Sequence, residues 1–146
     1  MILYHYSEVI MSILYFLFLT LLPTSGDNIQ IEDAWIRPAN AGMNSALYFN
    51  IVNESGKADT LYKATFEDAG MVMIHETYKD GDMTGMKMVN EIVVKPQTAF
   101  ELKPGGFHIM LMNLKKDLKK DDKKEFELYF KSGKKIKGTA TVKDKF

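Results

Sequence analysis

Beyond Asp27 the chain never sustains a helical period, and short alternating runs break off at turn residues again and again. The runs are IQIEDAWIR (29–37), SALYFNIVN (45–53), DTLYKATF (59–66), MVMIHETY (71–78), TGMKMVN (84–90), IVVKP and TAFELKP (92–104), FHIMLMNL (107–114), KEFELYFK (124–131) and KIKGTATVK (135–143). PANAGMN, ESGKAD, DGD, Pro104-Gly105-Gly106 and Ser132-Gly133 separate them, with DGD suited to a hairpin turn. Strand-sized runs at this spacing predict an all-β sandwich or barrel. There is no internal repeat and no linker long enough to divide the chain, so residues 27–146 are expected to form a single domain. Trp35, Tyr48, Phe49, Phe100, Phe126, Tyr129 and Phe130 are the large groups available for its core.

The start of the chain reads differently. Residues 9–22, VIMSILYFLFLTLL, are apolar except for Ser12 and Thr20 and are followed by PTSGDN. That run is short for a membrane span and suits the apolar region of a signal peptide. Thr24 and Gly26 supply small residues at the −3 and −1 positions of a cut before Asp27, so residues 1–26 are expected to be removed on export, the alternative being an uncleaved anchor. The leading MILYHYSE carries no Lys or Arg, and neither does a shorter version starting at Met11. His5 belongs to this leader and carries no chemistry. Nothing after Gly26 calls for a membrane span in the mature protein.

Charge narrows the partners. Lys+Arg and Asp+Glu are balanced at 19 each, so no strong field favours nucleic acid or an anionic membrane. Arg37 is the only arginine, and every lysine lies at Lys57 or later. The stretch LKKDLKKDDKK at 114–124 reads as a solvated connection. There is no cysteine, which excludes disulfides, thiolate metal sites, iron–sulfur clusters and thiol nucleophiles together. It also excludes a blue-copper electron carrier, whose site needs a thiolate.

Methionine is the opposite case. There are ten, and beyond the leader seven of eight lie between Met71 and Met112. The two remaining histidines, His75 and His108, each stand inside a predicted strand with methionines at even offsets. Met71 and Met73 precede the first, and Met110 and Met112 follow the second. Even offsets place side chains on one face of a strand. TGMKM adds Met86 and Met88 between them. Imidazole and thioether together suit the soft ion Cu(I), and a thioether survives in an oxidising compartment where thiols pair off. A methionine is also an ordinary core filler, so one reading left open is an extracytoplasmic binding or adhesion sandwich whose methionines only pack. A second rival, an enzyme holding Zn²⁺ or Fe²⁺ with two histidines and a carboxylate, is open to test by metal titration. No nucleophile–base pair is evident, and Glu76 next to His75 points to the opposite face. An enzyme is therefore not expected.

His75, Met86, His108 and Met110 stand in the order H-x10-M-x21-H-x-M. With NSALYFNIVN, MIHET and ELKPGGFHIMLMNLKK around it, this pattern resembles the signature of the periplasmic Cu(A) chaperone family, often called PCuAC-like. The resemblance runs from about Ala34 to the last strand. It implies a cupredoxin-like Greek-key β-sandwich and a Cu(I) site made of those four residues. It also implies delivery of copper towards cytochrome c oxidase, whose Cu(A) subunit and Sco-type chaperones are the partners expected. Met86 is the fourth ligand on the family spacing, although Met73 competes on geometry alone. Gly85 is expected to let the loop approach the metal, and Met112, too far along its strand from His108, to serve in packing.

Overall fold

The computed structural model describes residues 28–144; the expected leader lies outside the described residues. Ten strands follow one another with no helix between them: β1 (Ile29–Ile36), β2 (Ser45–Asn53), β3 (Asp59–Thr65), β4 (Ala69–Asp80), β5 (Met83–Met88), β6 (Ile92–Val94), β7 (Thr98–Leu102), β8 (Phe107–Leu114), β9 (Lys123–Phe130) and β10 (Lys135–Val142). The hydrogen-bonded order is β5-β4-β8-β2-β1-β10-β9-β3-β6, with β7 also on β2. All pairs are antiparallel except β1 with β10, so the first and last strands lie side by side and point the same way. A meander cannot produce that pairing. The order is a crossed, Greek-key-like arrangement.

Strand β2 changes partner along its length. Residues 45–47 pair with β8, and residues 49–53 pair with β7. On the other edge β1 follows it through a register shift between Glu32 and Trp35, where Asp33 has φ 52°. An aspartate tolerates this left-handed conformation better than most residues, and the bulge turns the strand so that one sheet can wrap onto itself. β6 and β7, joined by residues 95–97, bring the far end of the path back towards β2.

The core lies inside this wrap. Ile36, Leu47, Ile51, Leu61, Ile109, Leu111, Leu128 and Phe130 are buried there, and Phe49 stacks on Phe126 at 5.5 Å between ring centroids. Strand alternation explains the selection, because Leu47 and Phe49 face in while their neighbours face out. Three of the expected core aromatics belong elsewhere. Trp35 and Tyr48 are buried, but in a separate small cluster with Ala46. Tyr129 is only half-buried, with Lys63 and Lys135 over its ring. The charged connection after β8 is exposed apart from half-buried Asp122 and Leu118, the latter buried and bridged to Ala39.

Candidate metal centre

Strand β8 is apolar at consecutive positions: one face enters the core, and the other is buried only at His108. Ile109 and Leu111 enter the core. His108, Met110 and Met112 take the other face, where β2 offers Ala46 directly opposite Met110. Tyr48 lies two residues further along β2, its ring 6.1 Å from His108 and stacked at 4.5 Å on Trp35. This second cluster shields one side of His108, leaving it 4% exposed.

The register across β4 and β8 sets Met71 opposite Met112, Met73 opposite Met110, and His75 opposite His108. The two imidazole rings meet edge-on with centroids 5.9 Å apart. On its other edge β4 pairs with β5, which sets His75 opposite Met88 and Thr77 opposite Met86. All these side chains therefore share one outer face of the sheet. A cleft of about 330 Å³ opens on that face, lined by His108, Met110, Met86 and Thr77 together with Tyr48 and Arg37. Three of the four residues singled out in the sequence meet there, and His75 abuts the cleft through its contact with His108. Met73 and Met88 share the face but do not line the cleft.

The ring nitrogens are prepared unequally. Pro104-Gly105 turns β7 into β8, with Gly105 at φ +79° as the third position of a type II turn requires. The turn presents the Gly106 carbonyl to the Thr77 N–H at 3.0 Å and to His108 Nδ1 at 3.1 Å. A carbonyl only accepts, so Nδ1 carries the proton and Nε2 keeps a free lone pair. Burial lowers the His108 pKa below its usual value, and the nearby His75 and Arg37 charges add to the effect against the opposing Gly106 bond. The ring is thereby held neutral and able to bind a metal. His75 Nδ1 is buried and has no hydrogen-bond partner among the described residues. Such an atom is expensive unless something absent from the chain satisfies it. Among the described residues no group of three or more His, Asp or Glu is placed to hold a metal. The donors that converge are imidazole and thioether, which suit a soft ion.

Residues 29–142 match the family described as "Putative lipoprotein LpqE-like". The chain belongs to this family, the PCuAC family. One relative, the "Putative lipoprotein Lxx21020" of Leifsonia xyli subsp. xyli, is 31% identical over 119 residues, covering 81% of this chain and 71% of its own. Among solved structures, the copper-bound PCuAC domain from PmoF2 superposes with TM-score 0.67 at 24% identity, over 84% of this chain and 97% of that domain. The solution structure of CuI-DR1885 from Deinococcus radiodurans gives TM-score 0.59 at 28% identity, over 84% and 79%. The all-β fold of this PCuAC chain is cupredoxin-like, as the family resemblance implies.

Two features of this PCuAC face differ from the sequence expectation in their physical cause. Gly85 points away from Met86, towards Tyr78, whose ring a Cβ would meet at 2.7 Å. Its role is to seat that ring, beside the Glu76–Lys87 ion pair at 3.0 Å, and so to hold the hairpin in register. Met112 is half-buried on the outer face and adds nothing to the main core. Sequence reasoning also missed Arg37 and Tyr48 as walls of the site, and Trp35 as the ring stacked on Tyr48. SALYFNIVN held the signal: Ala46 and Tyr48 at one parity and Leu47, Phe49 and Ile51 at the other require two covered faces.

Proposed function

We propose that this protein is an extracytoplasmic copper carrier that holds Cu(I) between His75, Met86, His108 and Met110. The observation that carries this reading is the pair of prepared imidazoles beside a cleft lined by two thioethers. One ring has its tautomer fixed by the Gly106 carbonyl, and the other has a buried nitrogen without a partner. Two imidazoles and two thioethers form a neutral donor set, which favours a soft monovalent ion over a hard or more highly charged one. The PCuAC structures whose names record bound copper support the same ion for this chain.

Carriage rather than catalysis suits the shape. Met86 stands on the edge strand β5 and is 59% exposed, whereas His108 is almost fully buried. A receiving protein can therefore displace the outermost thioether first while the two histidines still hold the ion. The route of delivery is towards the Cu(A) centre of cytochrome c oxidase, in company with Sco-type chaperones. Residues 1–26 act as the export signal and 27–146 as the copper-binding domain, in the periplasm or its equivalent. The lipoprotein description of the family favours an extracytoplasmic place. Among the described residues no helix is long and apolar enough to cross a membrane.

The test is competitive titration of the protein with Cu(I), Zn²⁺ and Fe²⁺ under anaerobic conditions. Cu(I) is expected to bind most tightly, without an intense blue colour, and to raise the melting temperature, because an ion bound only by the folded state stabilises it. Clear preference for Zn²⁺ would refute the assignment. N-terminal sequencing of the native protein, expected to begin at Asp27, tests the export signal.

A further inference from the structure

The face that carries the proposed centre continues beyond it. Past His75–His108, the same two strands set Met73 opposite Met110 and then Met71 opposite Met112. Of these four thioethers the proposed centre uses only Met110. The other three form a triangle. Directly opposed residues have Cβ atoms about 4.5–5.5 Å apart. Met73 lies two residues along from Met71, roughly 7 Å away. Methionine has three rotatable side-chain bonds, so all three sulfurs can swing over the shared gap.

Packing does not account for the trio. Met71 is 50% exposed, and Met73 and Met112 are only half-buried. The core is filled from the opposite face of the same strands, by Ile74, Ile109 and Leu111, with Val72 against it. Thioethers held at the surface in facing rungs are poor core and good soft donors.

We propose that Met71, Met73 and Met112 form a second, weaker site for a soft monovalent cation, Cu(I) or Ag(I), next to the His75–His108 centre. This second station rests on the copper reading above for the nature of its ion, but not for its ligands. With three thioethers and no imidazole it fills after the first, and it lets the chain carry two ions when copper is in excess.

The experiment is a titration of the full-length protein, labelled with ¹³C at its methionine methyl groups, with Cu(I) under anaerobic reducing conditions and separately with Ag(I). The first equivalent is expected to shift the Met86 and Met110 methyls. The second is expected to shift Met71, Met73 and Met112. In the triple variant Met71→Leu/Met73→Leu/Met112→Leu, whose replacements conserve volume and preserve the fold, the second equivalent should be lost and the first kept. Saturation at one equivalent with the three methyls unmoved would overturn the second station, as would a second equivalent that survives in the triple variant. Silence of Met86 and Met110 at the first equivalent marks failure of the His/Met centre instead; the second station then stands if the trio's methyls shift and falls if they do not.

Discussion

Met110 and Leu111 are neighbours on β8 that face opposite ways, so substituting each in turn should separate copper binding from folding. Leu111 is fully buried among the core residues. Leu111→Ala leaves a cavity there, and truncations of this kind cost about 3–5 kcal/mol. For a domain of this size each kcal/mol is worth roughly 3–6 °C in melting temperature, so the apo-protein should melt about 9–30 °C lower. Met110 is half-buried on the outer face against Ala46 and Met73. Met110→Leu conserves volume and should cost less than about 1.5 kcal/mol. It removes one of four donors, however, and should weaken Cu(I) binding at least tenfold, or about 1.4 kcal/mol. The assay is thermal or urea unfolding of the apo-proteins alongside competition for Cu(I) with a chromophoric chelator. The two variants should exchange places between the two measurements. Met110→Leu destabilising the apo-protein as much as Leu111→Ala would refute the assignment of faces. So would a folded Leu111→Ala protein that has lost its copper affinity.

Other consequences follow from the same contacts. Burial holds His108 below its usual value of 6.5, so the unfolded chain takes up the proton first as the pH falls. The stability His108 contributes is therefore complete above 6.5 and is lost as the pH drops through the lower folded value; His108→Gln should flatten this part of the apo-stability profile, read by urea unfolding at stepped pH. Asp68, lowered by its hydrogen bond to Lys124 and by Lys116, loses its contribution in a more acid window, below its usual 3.8, and Asp68→Asn should remove that limb alone. Gly138 lies under the Phe126 ring, which an added Cβ would strike; Gly138→Ala should cost about 1–3 kcal/mol in urea unfolding while leaving Cu(I) affinity unchanged.

The strands were legible because alternation and turn residues are local signals. MVMIHETY and FHIMLMNL also revealed that each histidine shares a face with its methionines, since parity needs no knowledge of the fold. Pairing was not legible in the same way. That β4 lies against β8, and His75 against His108, depends on contacts between strands separated by three others in sequence, which no local pattern encodes. The hairpin was the exception within reach. With Gly81-Asp82 taken as a two-residue loop, counting back from Asp80 and Met83 puts Met88 opposite His75 and Gly85 opposite Tyr78. That register explains Gly85 by the Tyr78 ring and not by an approach to metal. The placing of Trp35 and Tyr48 depended on a different non-local fact, that the sheet buries part of its outer face as well as its inner one.

The most direct test of the centre is X-ray absorption at the copper edge on the protein loaded with a single equivalent of Cu(I). Ligation by His75, Met86, His108 and Met110 predicts two nitrogen and two sulfur scatterers around the ion, with one nitrogen lost in His108→Gln and one sulfur lost in Met86→Leu. A shell made of sulfur alone, or one left unchanged by both substitutions, would contradict it.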